Sequence, residues 1–157
     1  MDMKEIEHRG FDHSIYMVAS QFFDAANYIP KGRRYAAYVV NLAFSIELFI
    51  KSLDVTIKLE FHGDNPFAEF QEVKINTRIK GHSLLEIFNK LPSDLHQLLI
   101  ELYENTNNTS LMNDLESIQN AFVDYRYLFE KESVSVNISA LERVAAFLKS
   151  YIESVYR

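Results

Sequence analysis

Glu47, Lys51, His82, Arg126 and Glu130 are polar residues set in or beside apolar stretches, and they are where this chain can do chemistry. Histidine is the side chain suited to moving protons, which makes His82 the candidate acid or base. Arg126 and Lys51 are candidates for holding developing negative charge, and Glu47 and Glu130 for orienting the cations. A plain structural alternative stands beside this. Glu47 and Lys51 are spaced i,i+4 with the acid first, so they can simply satisfy each other. Arg126 and Glu130 have the same spacing in reverse order, and His82 can serve only to open a helix. Charges on such apolar helices must be paired, and a buried network does that without chemistry.

Other polar signals are weaker. Asn41, Ser45 and Ser52 share a stripe of one helix, where small polar residues permit close helix approach or are satisfied internally. Tyr125 and Tyr127 can stack on bases, although Tyr125 falls on a core stripe. His8 and His13 lack a third ligand, and with no Cys anywhere neither a thiolate metal site nor a thiol nucleophile is available. Phosphate-cradling glycine loops, nucleophile elbows and paired-histidine zinc motifs are missing, so no cofactor and no metal are expected.

The elements that must position these residues are mostly helical. Twelve Phe and nine Tyr against 4 Gly and 3 Pro favour long helices over many short strands. The 157 residues suit one domain, 1–157. Asp12 can cap a first helix, which Pro30 ends. A second, from about Arg33 to Leu53, is apolar nearly all round and therefore central. Between 55 and 80 the period changes to two, on either side of His62-Gly63-Asp64-Asn65-Pro66, which predicts an inserted β-hairpin. Ser83 opens a short helix through Leu91, and Ser93 caps the next. A stripe from Leu111 through Phe122 to Phe129 predicts a helix of more than five turns, and Ser139 opens the last. The expected fold is mainly α, an up-and-down bundle of four to six helices carrying that hairpin.

Net charge is −6, which argues against broad binding of duplex DNA. Local basic clusters occur at Lys31, Arg33 and Arg34 and at Lys74, Arg78 and Lys80; solvated helix starts and hairpin positions are the simpler account of them. The charged first ten residues do not read as a signal peptide, and no apolar run reaches the roughly 20 residues of a membrane span. A cytoplasmic protein is expected.

Three segments resemble the HEPN superfamily. Asn41 to Lys51, with its Ala43, Glu47 and Lys51, is similar to the central HEPN helix. Lys80-Gly81-His82-Ser83-Leu84 resembles the Gly-His-x-Leu segment of one bacterial subgroup, and Phe122 to Glu130 its aromatic-Arg-Tyr-x-x-Glu stretch. The resemblance implies a helical bundle, usually a homodimer, acting on RNA, binding nucleotide or serving a partner protein, often in phage-defence or toxin–antitoxin systems. RNase members carry Arg, four to six intervening residues, then His. None of the five histidines here follows an Arg at that spacing: Arg9–His13 and Arg78–His82 have only three residues between them. The expected function is therefore a binding member that is not a typical enzyme. One alternative is a metal-independent ribonuclease in which His82 moves the proton and Arg126 stabilises charge. The other is a structural or adaptor bundle.

Overall fold

The computed structural model describes residues 4–61, 72–127 and 135–156. Strand β1 (Lys4–Gly10) leads into helix α1 (His13–Tyr28), followed by a single 3-10 turn (Lys31–Arg33) and helix α2 (Ala36–Ser52). Strands β2 (Val55–Phe61) and β3 (Glu72–Thr77) come next, then helices α3 (Leu84–Asn89), α4 (Ser93–Asn107), α5 (Leu111–Ile118), α6 (Ala121–Arg126) and α7 (Ile138–Val155). The fold is mainly helical with a small antiparallel sheet, as the periodicities require. No helix among the described residues is long and apolar enough to cross a membrane.

Helix α2 is the spine. Tyr38, Val39, Leu42, Ala43, Ile46, Phe49 and Ile50 are buried on it, and α1, α3, α6 and α7 all pack against it. A helix flanked on so many sides needs apolar side chains around most of its circumference. Ile46 is completely buried, and truncating it to Ala would cost about 2–5 kcal/mol. Ser45 and Ser52 are satisfied within the helix, donating their hydroxyls to the carbonyls of Leu42 and Phe49, each at 2.7 Å.

The sheet is larger than the hairpin the sequence shows. β2 is its middle strand, pairing with β3 from Val55↔Thr77 and with β1 from Gly10↔Val55. β1 was not anticipated, because the charged stretch from Lys4 to Arg9 has only Ile6 as an apolar residue. It exists because β2 offers a free edge, a partnership that local periodicity cannot reveal. Asp54, at the corner between α2 and β2, clamps the assembly. Arg9 grips both carboxylate oxygens at 2.8 and 3.1 Å, while Arg78 lies 3.9 Å away and donates to Thr56. Asp54 holds the Arg9 guanidinium above the usual arginine value through this hydrogen bond and its charge. The turn between β2 and β3, expected at 62–66, lies outside the described residues.

Helix boundaries differ from expectation where tertiary bonds intervene. The stripe from Leu111 to Phe122 is kept, but the helix breaks at Gln119–Asn120 into α5 and α6. The Gln119 carbonyl accepts from the Leu84 amide at 3.0 Å, a bond that joins the break to the start of α3. Tyr125 of that stripe packs against the core from α6, and its last member, Phe129, lies outside the described residues. α2 starts at Ala36, not Arg33, because residues 31–33 form the tighter turn. Ser93 is the first residue of α4, with Pro92 in the capping position. Asn137, not Ser139, caps α7, accepting from the Ala140 amide at 3.0 Å.

Candidate functional site

Glu47 is the anomaly of the spine: a carboxylate left 2% exposed on the most apolar helix. Its oxygens are satisfied from two directions. Lys51, one turn later, donates to Oε1 at 2.7 Å. His82 arrives from the loop between β3 and α3 and donates Nδ1 to the same carboxylate, 3.1 Å from Oε1 and 3.2 Å from Oε2. Lys51 is largely covered, with 13% of its side chain exposed, whereas the His82 side chain is 56% exposed. The arrangement is a buried anion holding two cationic or protonatable groups, one of them facing solvent.

The loop that delivers His82 is held at several points. Ile79 and Leu84 are buried on either side of it. Lys90 donates to the Lys80 carbonyl at 2.7 Å, and Ser83 caps α3. Gly81 has φ +114°, a left-handed conformation that residues with a Cβ rarely adopt. This is a physical reason for the Gly-His order: the glycine permits a backbone conformation from which the next side chain meets Glu47.

Arg126 joins through an aromatic column. Phe22 packs edge-on to Phe44, Phe44 stacks on Phe122 with centroids 5.0 Å apart, and the His82 ring lies 5.8 Å from Phe122. The Arg126 guanidinium sits over the same Phe122 ring at 5.0 Å and over Tyr127 at 4.5 Å. Arg126 and His82 thus share one ring, although Arg126 makes no ion pair with Glu47. Glu130 lies outside the described residues. The cluster therefore unites Glu47, Lys51 and His82, with Arg126 beside it across Phe122. The sequence places Phe122 on a core stripe and in the segment resembling HEPN; that its ring carries both a histidine and a guanidinium depends on the fold.

Chemically, a carboxylate on Nδ1 fixes the imidazole tautomer, so that Nε2 carries the lone pair when the ring is neutral. Among the described residues Nε2 makes no hydrogen bond. The group can accept a proton or bind an acidic oxygen, with Lys51 adding positive charge nearby. The other histidines among the described residues are used otherwise: His8 donates to the Arg9 carbonyl, His13 packs by Phe11 and Tyr16, and His96 meets Asn89 and lies tilted against Phe88. Among the described residues no three His, Asp or Glu side chains gather in a metal-binding arrangement.

A second polar network, unsuspected from sequence, lies in the core. Asp114 on α5 is nearly buried, accepts from the Tyr103 hydroxyl and takes two bonds from Arg143 at 3.1 and 3.2 Å. Burial, with the Asp114 hydrogen bond, pushes the Tyr103 phenol well above its ordinary value. The network ties α4, α5 and α7 together. Residues 103, 114 and 143 show no mutual periodicity, so no sequence signal could have found it. Beside it, between α4 and α7, runs an apolar groove of about 660 Å³ lined by Leu102, Phe147 and Tyr151. Glu142 and Arg143 also border the groove, which shares no residue with the Glu47 cluster. No family model, curated protein or solved structure matches the chain.

Proposed function

We propose that this chain is a HEPN-like domain that binds a phosphate-bearing partner, RNA or nucleotide, at the Glu47–Lys51–His82 cluster, and that it does so as a homodimer. One observation carries the reading: a carboxylate buried on the central helix aims an exposed imidazole from a separate loop. Lys51 satisfies only Oε1 and His82 also serves Oε2, but a ring that stays 56% exposed while making that bond keeps its other nitrogen open to a ligand. The segments resembling HEPN are the ones that meet here, namely the central helix, the Gly-His loop and the aromatic-Arg stretch. An adaptor bundle would be favoured if these side chains diverged to separate surfaces, and they do not. Titration calorimetry with a ribonucleoside triphosphate and with short RNA tests the reading. Heat of binding lost in His82→Ala and Lys51→Ala supports it; the absence of binding to either ligand refutes it. A monomer by light scattering refutes the dimer.

The fixed imidazole also favours a second reading, metal-independent RNA cleavage. Nε2 of His82 would take the 2′-hydroxyl proton, the 2′ oxygen would bond phosphorus to give a cyclic phosphate as the P–O5′ bond breaks, the departing 5′ oxygen would take a proton from water, and Arg126 would hold the phosphate charge. Labelled RNA incubated in EDTA with wild type, His82→Ala and Arg126→Ala decides between them. Cleavage untouched by both substitutions removes this mechanism.

A further inference from the structure

Within eight consecutive residues the α1–α2 turn presents Tyr28, Lys31, Arg33 and Tyr35 to solvent. Tyr28 is 86% and Tyr35 74% exposed, so both rings are available to a ligand from solvent. Neither Lys31 nor Arg33 is ion-paired among the described residues. Arg34 is different. It donates to the Ile29 carbonyl at 3.0 Å and lies 4.7 Å over the Tyr38 ring, so it holds the turn and is not part of the presented surface. The backbone is further fixed by Arg33 N–H donating to Pro30 and Tyr35 N–H to Arg33, at 2.8 and 3.0 Å. A Cβ placed on Gly32 would meet no atom within 4 Å, so the approach is open.

We propose that this turn is a contact for single-stranded nucleic acid, with Tyr28 and Tyr35 stacking on bases and Lys31 and Arg33 on phosphates. Exposed rings interleaved along the chain with unpaired cations are the chemistry that grips a single strand without reading its sequence. The chain's net charge of −6 makes such a local patch stand out and is consistent with poor binding of duplex, whose bases are not available to the tyrosines. The turn does not depend on the Glu47 cluster, which lies eleven residues further along α2 from Ala36, about 16 Å away along the helix axis.

Fluorescence anisotropy of labelled oligouridylate and oligothymidylate, with a duplex and polyglutamate as comparisons, tests this. Tyr28→Ala/Tyr35→Ala should weaken single-strand binding about tenfold or more per ring, while Tyr28→Phe/Tyr35→Phe keeps it. Lys31→Ala/Arg33→Ala should flatten the salt dependence by about 0.7 per lost phosphate contact. All four side chains are exposed, so circular dichroism should show the variants folded. No binding by the wild type overturns the proposal, as does equal affinity for duplex or polyglutamate. So does a loss seen in His82→Ala and Lys51→Ala but not in the turn variants, which would put the strand at the cluster instead.

Discussion

Replacing Glu47 by Gln keeps the shape of the side chain, removes its charge and turns one acceptor oxygen into an NH2 donor, which tests what the buried carboxylate does for its two donors. In the wild type the carboxylate is 2% exposed and accepts from Lys51 at 2.7 Å and from His82 at 3.1 Å. Hydrogen bonds to charged groups contribute about 1.5–3 kcal/mol each when water is excluded. The Lys51 bond belongs in that range, because only 13% of its side chain is exposed. The His82 bond is worth less, under roughly 1 kcal/mol, since water can replace the carboxylate on a ring that is 56% exposed. Breaking a fully buried pair costs about 3–5 kcal/mol, and the partial reach of the Lys51 ammonium to solvent lowers that figure. The expected loss for Glu47→Gln is about 2–3 kcal/mol. With a urea slope of about 2 kcal/mol per molar, the midpoint followed by circular dichroism should fall by roughly 1–1.5 M. Glu47→Leu combined with Lys51→Met should recover much of this, because well-packed apolar side chains replace buried ion pairs at little cost. A Glu47→Gln loss below roughly 0.5 kcal/mol would refute the reasoning, because it would mean that water already solvates the carboxylate. A double substitution as damaging as the single one would refute it too.

Gly81→Ala places a Cβ on a residue with φ +114°, and should cost about 1–3 kcal/mol by urea unfolding while shifting the imidazole signals of His82 in a nitrogen–proton correlation spectrum. An unchanged His82 signal would mean that the loop is not set by this glycine. Stability should also fall in alkali. The folded-state phenols of Tyr103, Tyr38 and Tyr151 are raised, chiefly by burial, so their contribution is complete below the unfolded value of about 10 and is lost as pH rises through the folded values. Urea midpoints measured upward from neutral pH should hold level and then drop above about 10, with a smaller drop in Tyr103→Phe; equal drops would assign the effect elsewhere.

Much of the frame was legible because hydrophobic period is a local property. Val39, Leu42, Ile46, Phe49 and Ile50 read as the faces of a buried helix, and the alternation at 73–79 read as a strand, before any contact was known. Proline and capping side chains marked the ends of α1 and α3 for the same reason, since Asp12 and Ser83 bond to amides only three residues away. The i,i+4 pairing of Glu47 and Lys51 was likewise foreseeable from helix geometry alone.

Whatever joins residues far apart in the chain was decided by tertiary structure. β1 forms because β2 has an open edge, and the expected long helix is interrupted where the Gln119 carbonyl bonds Leu84. His82 and Glu47 are 35 residues apart, and Asp114 and Arg143 are 29 apart. From sequence His82 was a candidate whether or not it met anything; its meeting with Glu47 required Gly81 to turn the loop and α3 to lie against the spine. A linear pattern specifies which face of each element avoids water. Which faces then touch depends on the packing of all of them at once, and that packing put the one buried carboxylate of the central helix beneath an exposed imidazole.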